Sequence, residues 1–350
     1  MKQWLRERGW NENPFNFKIY PDLMVGYEEE ISRLDEAISA GNKFSVVVGR
    51  TGAGKTNLLK WLASHHEDER EVHYLPKPPT HEEDFLQYLR DEVLDPGFFA
   101  RLLNDYSLYN IHNELHDALD DHVVMIIDEA HEASHDVLQW MRTVIDHVDS
   151  LTVVAAGLPE FESTLEEDIN TLYSRATHIT SLDSLDRDES VQLIRERIKK
   201  AGGTSIEPFT QDALLEIYDV TDGFPREVLR ACNDCVVHAA REGKSIIDAQ
   251  DVEEILDDRE AAPEEEDDGE ESGEPLPEVQ LTEKQEEILD VLEEKGRCTS
   301  GDIVDSRGYE DYSSRSHAVR SVNNILNRLR ENGLVARERE GRSYVYFLDT

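Results

Sequence analysis

Eight residues constrain this chain more than any others. Gly49-Arg50-Thr51-Gly52-Ala53-Gly54-Lys55-Thr56 follows the apolar run Phe44–Val48 and precedes a segment whose apolar residues recur at helical spacing. The order is buried strand, glycine-rich turn, helix, and the octapeptide fits G-x-x-x-x-G-K-[ST] in the setting that gives the pattern its meaning. The glycines leave backbone N–H groups free to wrap phosphate oxygens, and the helix N-terminus adds partial positive charge at the same place. Lys55 is expected to reach the β and γ phosphates of ATP, and Thr56 to hold Mg2+.

The partner element is Val123–His131, reading VVMIIDEAH. An apolar strand ends in Asp128 and Glu129. Asp128 at the strand tip suits the metal, directly or through its water. Glu129 suits the role of general base that polarises an attacking water. The letters DEAH also occur in a helicase class, but those enzymes need two tandem motor domains, and too little chain follows Asp128 for a second.

Other segments complete an alternating pattern. Ile31, Leu34 and Ile38 share a helical face that ends at Gly41, and Leu151–Ala156 reads as a further buried strand. Val72–Leu75 and Ala176–Ile179 read as weaker or edge strands. Strands alternating with helices predict a parallel sheet covered on both faces. From Asp186 to Leu256 the pattern is all-helical, which predicts a separate small subdomain. Residues 256–280 carry twelve acids, one arginine and no aromatic residue, so they are expected to be a flexible linker. The division expected is therefore 1–185, 186–256, an acidic linker over 257–280, and 281–350.

Composition narrows the setting. The chain has 77 acidic and 36 basic residues, a net charge of −41, and only eleven of the basic residues are lysine. Acids spread along the whole chain predict a halophilic, haloarchaeal protein built for a high-salt cytoplasm, where a Debye length of roughly 3 Å at molar salt screens self-repulsion. The longest apolar run is the five residues Val123–Ile127, too short to cross a membrane. The first ten residues contain no apolar stretch of the secretory kind. Three cysteines exclude a disulfide framework and suit a reducing compartment. Cys232 and Cys235 lie three apart on a predicted helix with no second ligand pair, so packing is expected rather than zinc. His65, His66 and His131 are expected to be solvated or capping.

In order, the P-loop, DEAH, AAGLPEFESTL, LYSRATHI, RERIKKAGG and TDGFPREVLRACNDCVVHAA resemble AAA+ ATPases of the ExeA secretion and TniB/MuB transposition type, relatives of the Orc/Cdc-type initiators. The resemblance covers about Asn13 to Leu256. It implies an α/β fold with a P-loop AAA+ αβα core and a helical lid. It also implies work in an ATP-dependent homo-oligomer or at a partner protein. The segment NPFNFKIYPDLMVGYEEE resembles the stretch that covers the adenine in those proteins. Arg175 matches the arginine that reaches a neighbouring subunit's γ-phosphate, a catalytic role in trans. Arg226, at a helix start in the lid, matches the sensor that contacts the γ-phosphate in cis. One departure is plain: Leu151–Ala156 runs into Gly157 and Leu158 with no polar residue to position water. A slow, switch-like ATPase is expected.

The last 70 residues read as three helices and a hairpin, the plan of a winged helix-turn-helix. Thr282–Gln285 forms a capping box before a helix with Ile288, Leu289 and Leu292 inside. A short helix is expected around Gly301–Asp305. A longer one is expected from Ser314 to Asn332, with Ala318, Val322, Ile325 and Leu329 on one face. VARERE and SYVYFL flank Gly341-Arg342. This unit holds eleven basic and fourteen acidic residues, net −3, against −38 for residues 1–280. Between Arg315 and Arg342 there are seven arginines and three glutamates, net +4. A basic island in so acidic a chain is the footprint of a phosphate contact, so duplex DNA is the expected partner of 281–350. Ser316, Arg320, Asn323 and Asn327 occupy one polar helix face and suit base edges in the major groove. Arg339 and Arg342 flank the wing tip and suit the DNA backbone. The rival readings are a non-catalytic, ATP-gated DNA-binding regulator and a scaffold whose winged helix docks a protein.

Overall fold

A computed structural model of the chain describes residues 1–94, 107–119, 121–260, 283–308, 315, 318–319, 322, 325–326, 329–330, 334–340 and 343–348. It separates into two compact units, Met1–Leu256 and Asp257–Thr350. Among the described residues no helix is long and apolar enough to cross a membrane.

The first unit is built on five parallel strands, β1 (Phe44–Gly49), β2 (Glu71–Leu75), β3 (Val123–Ile127), β4 (Leu151–Gly157) and β5 (His178–Leu182), in the order β2-β3-β4-β1-β5. β1, β3 and β4 are buried at every position, which requires helices on both faces. The two faces alternate along each strand. Val46, Val48 and Met125 enter one cluster, and Val47, Val124 and Ile126 the other. Helices Glu28–Ser39 and Lys55–His66 cover the second face. Helices Glu82–Tyr88, Ile111–Ala118, His135–His147 and Pro159–Glu167 cover the first.

Local signals explain most boundaries. Gly41 follows helix Glu28–Ser39 with φ 71° and donates to the Ile38 carbonyl, the left-handed stop its sequence position predicts. Ser134 caps His135–His147 by accepting from Val137 N at 3.3 Å. β5 starts two residues later than its composition suggests and runs to Leu182, because it pairs with β1 from Ser45 to Gly49. His66 is a correction. It is buried, not solvated, and its Nε2 lies 3.1 Å from Asp35 Oδ1.

The helical subdomain opens with a capping box. Asp186 accepts from Glu189 N at 2.8 Å, and Glu189 accepts from Asp186 N at 2.7 Å. Helices Arg187–Lys200, Gln211–Thr221, Pro225–Glu242 and Ala249–Glu260 follow. Cys232 and Cys235 are buried in their shared core. The N-terminal residues belong to the same core. Trp4, Trp10, Phe15 and Phe209 form an edge-to-face series with centroids 5.9, 6.2 and 5.7 Å apart. Such pairs add about 0.5–1.5 kcal/mol each beyond area burial. Trp4 Nε1 also donates to the Lys244 carbonyl at 2.8 Å. The guanidinium of the buried Arg197 donates to the Asn16 and Lys18 carbonyls at 3.3 and 3.0 Å and packs over Tyr20. Helix Ala249–Glu260 continues past Leu256 into the acidic stretch, and residues 261–282 lie outside the described ones.

The second unit has its own core of Ile288, Leu292, Cys298, Ile303, Val304, Ala318, Val322, Ile325, Leu329, Val335 and Tyr346, among others. Helices Glu283–Lys295 and Ser300–Arg307 precede the helical residues within 315–330, and β6 (Val335–Glu340) pairs antiparallel with β7 (Ser343–Leu348). Thr299 and Asp302 cap the second helix reciprocally. The predicted box at Thr282 lies outside the described residues.

Candidate active site

The order β2-β3-β4-β1-β5 sets the C-terminal ends of β1 and β3 on either side of β4. Ligands of open α/β sheets bind beyond such ends. The turn after β1 and the acids after β3 therefore meet at one place, although they are about seventy residues apart in the chain.

The turn is compact and free of side-chain bulk. Gly54 has φ 100° and open space where a Cβ would stand, and it leads straight into the twelve-residue helix Lys55–His66. Gly52 has φ 86°, and a Cβ there would stand 2.6 Å from Arg226 Cβ. That glycine lets the lid helix Pro225–Glu242 dock on the loop, where Arg226 N donates to the Gly52 carbonyl at 3.2 Å. Arg226 is the second residue of that helix and its side chain is exposed. Arg50 stacks at 5.0 Å over Phe224, just before the same helix. Ala53 is fully buried and Thr51 is exposed.

Lys55 is 6% exposed and its Nζ donates to the Gly49 carbonyl at 2.6 Å and the Arg50 carbonyl at 3.3 Å. Burial lowers its pKa from the ordinary lysine range, and the nearby Glu129 and Asp128 pull in the opposite direction. Asp128 is 2% exposed. Its Oδ2 accepts from Thr56 Oγ1 at 2.6 Å and from the Tyr74 hydroxyl at 3.0 Å, and its Oδ1 accepts from Glu129 N at 3.0 Å. Burial and the Asp128 carboxylate raise the Tyr74 phenol well above its usual range. Tyr74 stands on β2, 54 residues before Asp128, and no short-range pattern points to it. A Lys60 ammonium lies 5.7 Å from its ring centroid.

Glu129 adopts left-handed backbone angles, φ 50° and ψ 36°. A non-glycine residue there stores roughly 1–3 kcal/mol, and such residues cluster at functional sites. Its carboxylate is 42% exposed and lies 3.5 Å from His131 Nδ1. Beyond the strand, β4 ends in buried Ala155, Ala156 and Gly157, so it brings no polar side chain to the site.

These groups fit a nucleoside triphosphate and Mg2+. A bulk-free turn at a helix N-terminus with one buried lysine suits polyphosphate. A hydroxyl and a carboxylate in hydrogen-bond contact suit a hard cation that keeps substrate oxygens and water as its other ligands.

The hydrogen bonds of Arg175 go to other groups than these. Its guanidinium donates to Asp146 Oδ1 and Oδ2 at 2.8 and 3.0 Å, to the Thr171 carbonyl at 2.6 Å and to Ser174 Oγ at 2.9 Å. In the second unit, Arg315 donates to Asp305 at 2.8 and 2.7 Å. Ser316, Arg320, Asn323, Asn327 and Arg342, and the side chain of Arg339, lie outside the described residues. The described helical residues nearby place Ala318, Val322, Ile325 and Leu329 in the core, as their spacing predicts.

Two stretches of the chain match family models. Residues 38–165 match the AAA domain family, and residues 281–348 match the penicillinase repressor family. Among curated proteins, general secretion pathway protein A of Aeromonas hydrophila is 26% identical over 260 residues, covering 70% of this chain and 46% of that protein. An uncharacterized HTH-type transcriptional regulator of Methanocaldococcus jannaschii is 27% identical over 200 residues, covering 55% of this chain and 42% of the relative. The chain thus spans a little under half the length of the curated relatives it matches. Among solved structures, Cdc6p of Pyrobaculum aerophilum superposes with a TM-score of 0.55 at 17% identity, over 96% of this chain and 93% of the other. That likeness is one of fold.

Proposed function

We infer, from a chain that carries an AAA domain followed by a winged-helix domain of the penicillinase-repressor family, an ATP-driven switch that acts on duplex DNA. The observation that carries the reading is the junction of Lys55, Thr56, Asp128 and Glu129 beyond β1 and β3. Gly49 to Thr56 hold the triphosphate through backbone N–H groups, and Lys55 takes the β and γ phosphates. Thr56 and Asp128 hold Mg2+, which when bound neutralises charge on the phosphate oxygens. Glu129 accepts the proton of the attacking water. Arg226, at the helix docked on Gly52, senses the γ-phosphate in cis. Arg175 reaches a second copy's phosphate in trans, and to do so it exchanges Asp146 for that phosphate.

The rate is slow, because β4 ends in Ala155, Ala156 and Gly157 and supplies no group to hold the water. The same observation favours a second reading, in which ATP gates DNA binding without turnover. The winged helix meets DNA through Arg315, Ser316, Arg320, Asn323 and Asn327, with Arg339 and Arg342 at the wing. The seven arginines between 315 and 342 support this.

Phosphate release and nucleotide retention separate the readings. Glu129→Gln is expected to retain ATP and leave it unhydrolysed. Arg175→Ala is expected to bind ATP but hydrolyse none, and mixing the two variants restores activity at mixed interfaces. Turnover by Glu129→Gln at the wild-type rate removes the base assignment, and a wild type with no turnover at all selects the gated regulator. For DNA, fluorescence anisotropy across a salt series reads the slope, with each phosphate contact contributing about −0.9. Arg320→Ala is expected to cost about 1–3 kcal/mol at a preferred site, and Arg342→Ala to weaken every sequence alike. No duplex affinity at low salt moves the winged helix to protein docking.

A further inference from the structure

We propose that Asp305 aims Arg315 at a guanine, so that the pair reads one G·C base pair in the major groove and is not a contact to phosphate. The proposal rests on the duplex-DNA reading above and names how one position of the site is told apart. Asp305 lies on helix Ser300–Arg307, and Arg315 is the first described residue of the helical stretch within 315–330. In a helix-turn-helix the N-terminal residues of the later helix face the base edges, and the earlier helix crosses the backbone.

The two side chains meet edge to edge. Arg315 Nε donates to Asp305 Oδ1 at 2.8 Å, and Nη2 donates to Oδ2 at 2.7 Å. The guanidinium also lies against Gly301, where a Cβ would stand 3.5 Å from Arg315 Nη2. Gly301 and Asp305 share a face of their helix, being one turn apart. The arginine is thus laid along that face, with its plane set by the carboxylate fork. The hydrogen bond from Arg315 holds the Asp305 carboxyl below the usual aspartate range, so the clamp is ionised at neutral pH.

Stability gives little reason for such a clamp. The side chains are 51% and 54% exposed, and an ion pair in water contributes little. Phosphate attraction gives none, because a carboxylate beside the arginine offsets its charge and repels the DNA backbone. Base reading has the opposite need. Guanine offers O6 and N7 to a forked pair of N–H groups, and a planar guanidinium held in one orientation meets both. A guanidinium has two such forks, Nε with Nη2 and Nη1 with Nη2. Asp305 takes the first, and the second is the fork offered to guanine in the complex.

The full-length protein is used to select sites from a randomised duplex library at low salt. The selected site is then titrated by fluorescence anisotropy with the wild type, Asp305→Asn and Arg315→Lys. The wild type is expected to fix a guanine at one position, and to bind about tenfold or more weakly when that G·C pair becomes A·T. Asp305→Asn is expected to lose that discrimination, to within about threefold, and to keep the preferences at other positions. Arg315→Lys keeps the charge and loses the fork, so it is expected to lose the same discrimination with an unchanged salt slope. A wild type that fixes no guanine overturns the proposal whatever the variants do. Asp305→Asn that binds every sequence more tightly with its preference intact overturns it, since the acid then only repels phosphate. Arg315→Lys that keeps the preference overturns it, since the arginine then acts as a point charge. Loss of preference at every position together with a lowered melting temperature overturns it in favour of a staple between the two helices. A wild type that binds no duplex strikes the DNA reading itself, and the role of the pair falls with it.

Discussion

The two ends of the proposed nucleotide site are built in different ways. The phosphate end comes from two strand tips of one sheet. Lys55 and Asp128 are buried there, and every contact is a hydrogen bond between groups held by β1, β2, β3 and the helix that follows β1. The end where the resemblance places the base comes from a stretch near the N-terminus that is packed against the lid. Trp10, Phe15 and Val25 belong to the same core as Ile194, Phe209 and Val228, and Arg197 holds the carbonyls of Asn16 and Lys18. A sheet fixes the first end, and a hydrophobic cluster outside the sheet fixes the second. Perturbations of the sheet and of the lid should therefore separate in their effect on phosphate and on base.

Comparing ATP with inorganic tripolyphosphate breaks the two apart. The largest effect is expected for Lys55→Ala, which should weaken both ligands by about a hundredfold or more, since charge-assisted hydrogen bonds to phosphate are lost. Isothermal titration with each ligand checks it, and unchanged tripolyphosphate binding would show that the phosphate end is misplaced. Next comes Arg197→Ala. Loss of two backbone contacts and the stack on Tyr20 should weaken ATP about tenfold and tripolyphosphate by less than about twofold. An equal loss of both ligands would merge the two ends into one.

A smaller effect is expected within the phosphate end. Tyr74→Phe removes one of the two hydroxyls on Asp128 Oδ2. The Mg2+ concentration for half-maximal ATP binding should rise about three- to tenfold, and Mg2+-free binding should stay as it was. The mildest test is pH. Burial lowers the His66 pKa, against the pull of Asp35, so the unfolded chain binds the proton more readily than the folded one. Stability is then retained above the ordinary imidazole pKa of about 6.5 and lost as pH falls below it. The melting temperature should fall between pH 7 and 5.5, and should fall less in His66→Gln, as followed by circular dichroism.

What sequence makes legible follows the same division. Gly49–Thr56 and Val123–Glu129 are contiguous, and strand, glycine and acid spacing alone place them at one site. Tyr74 escaped because its partner Asp128 lies 54 residues away and the residue type signals no role by itself. Arg175 stood out within LYSRATHI, yet nothing in that stretch announces Asp146, 29 residues earlier, which holds the guanidinium. Trp4, Trp10 and Phe15 drew no reading as core residues, because an apolar residue type says at most that a side chain is buried and not what buries it. Only the fold sends them to the lid.

The passage of the chain between its two cores has a kinetic consequence. Gly26 and Tyr27 carry consecutive positive φ values of 74° and 64° where the chain leaves the lid core, and it returns at Asp183, whose carbonyl the Tyr27 hydroxyl reaches. Leu182 packs with the sheet and Leu185 with the lid, so both crossings lie side by side. A rotation about that paired crossing would swing the lid helices and the N-terminal stretch as one piece. Lifting the lid helix from Gly52 would then uncover the base in the same event. In the proposed nucleotide-bound state, release would then be coupled to the swing of the tryptophan-anchored piece as well as to the grip on the phosphates.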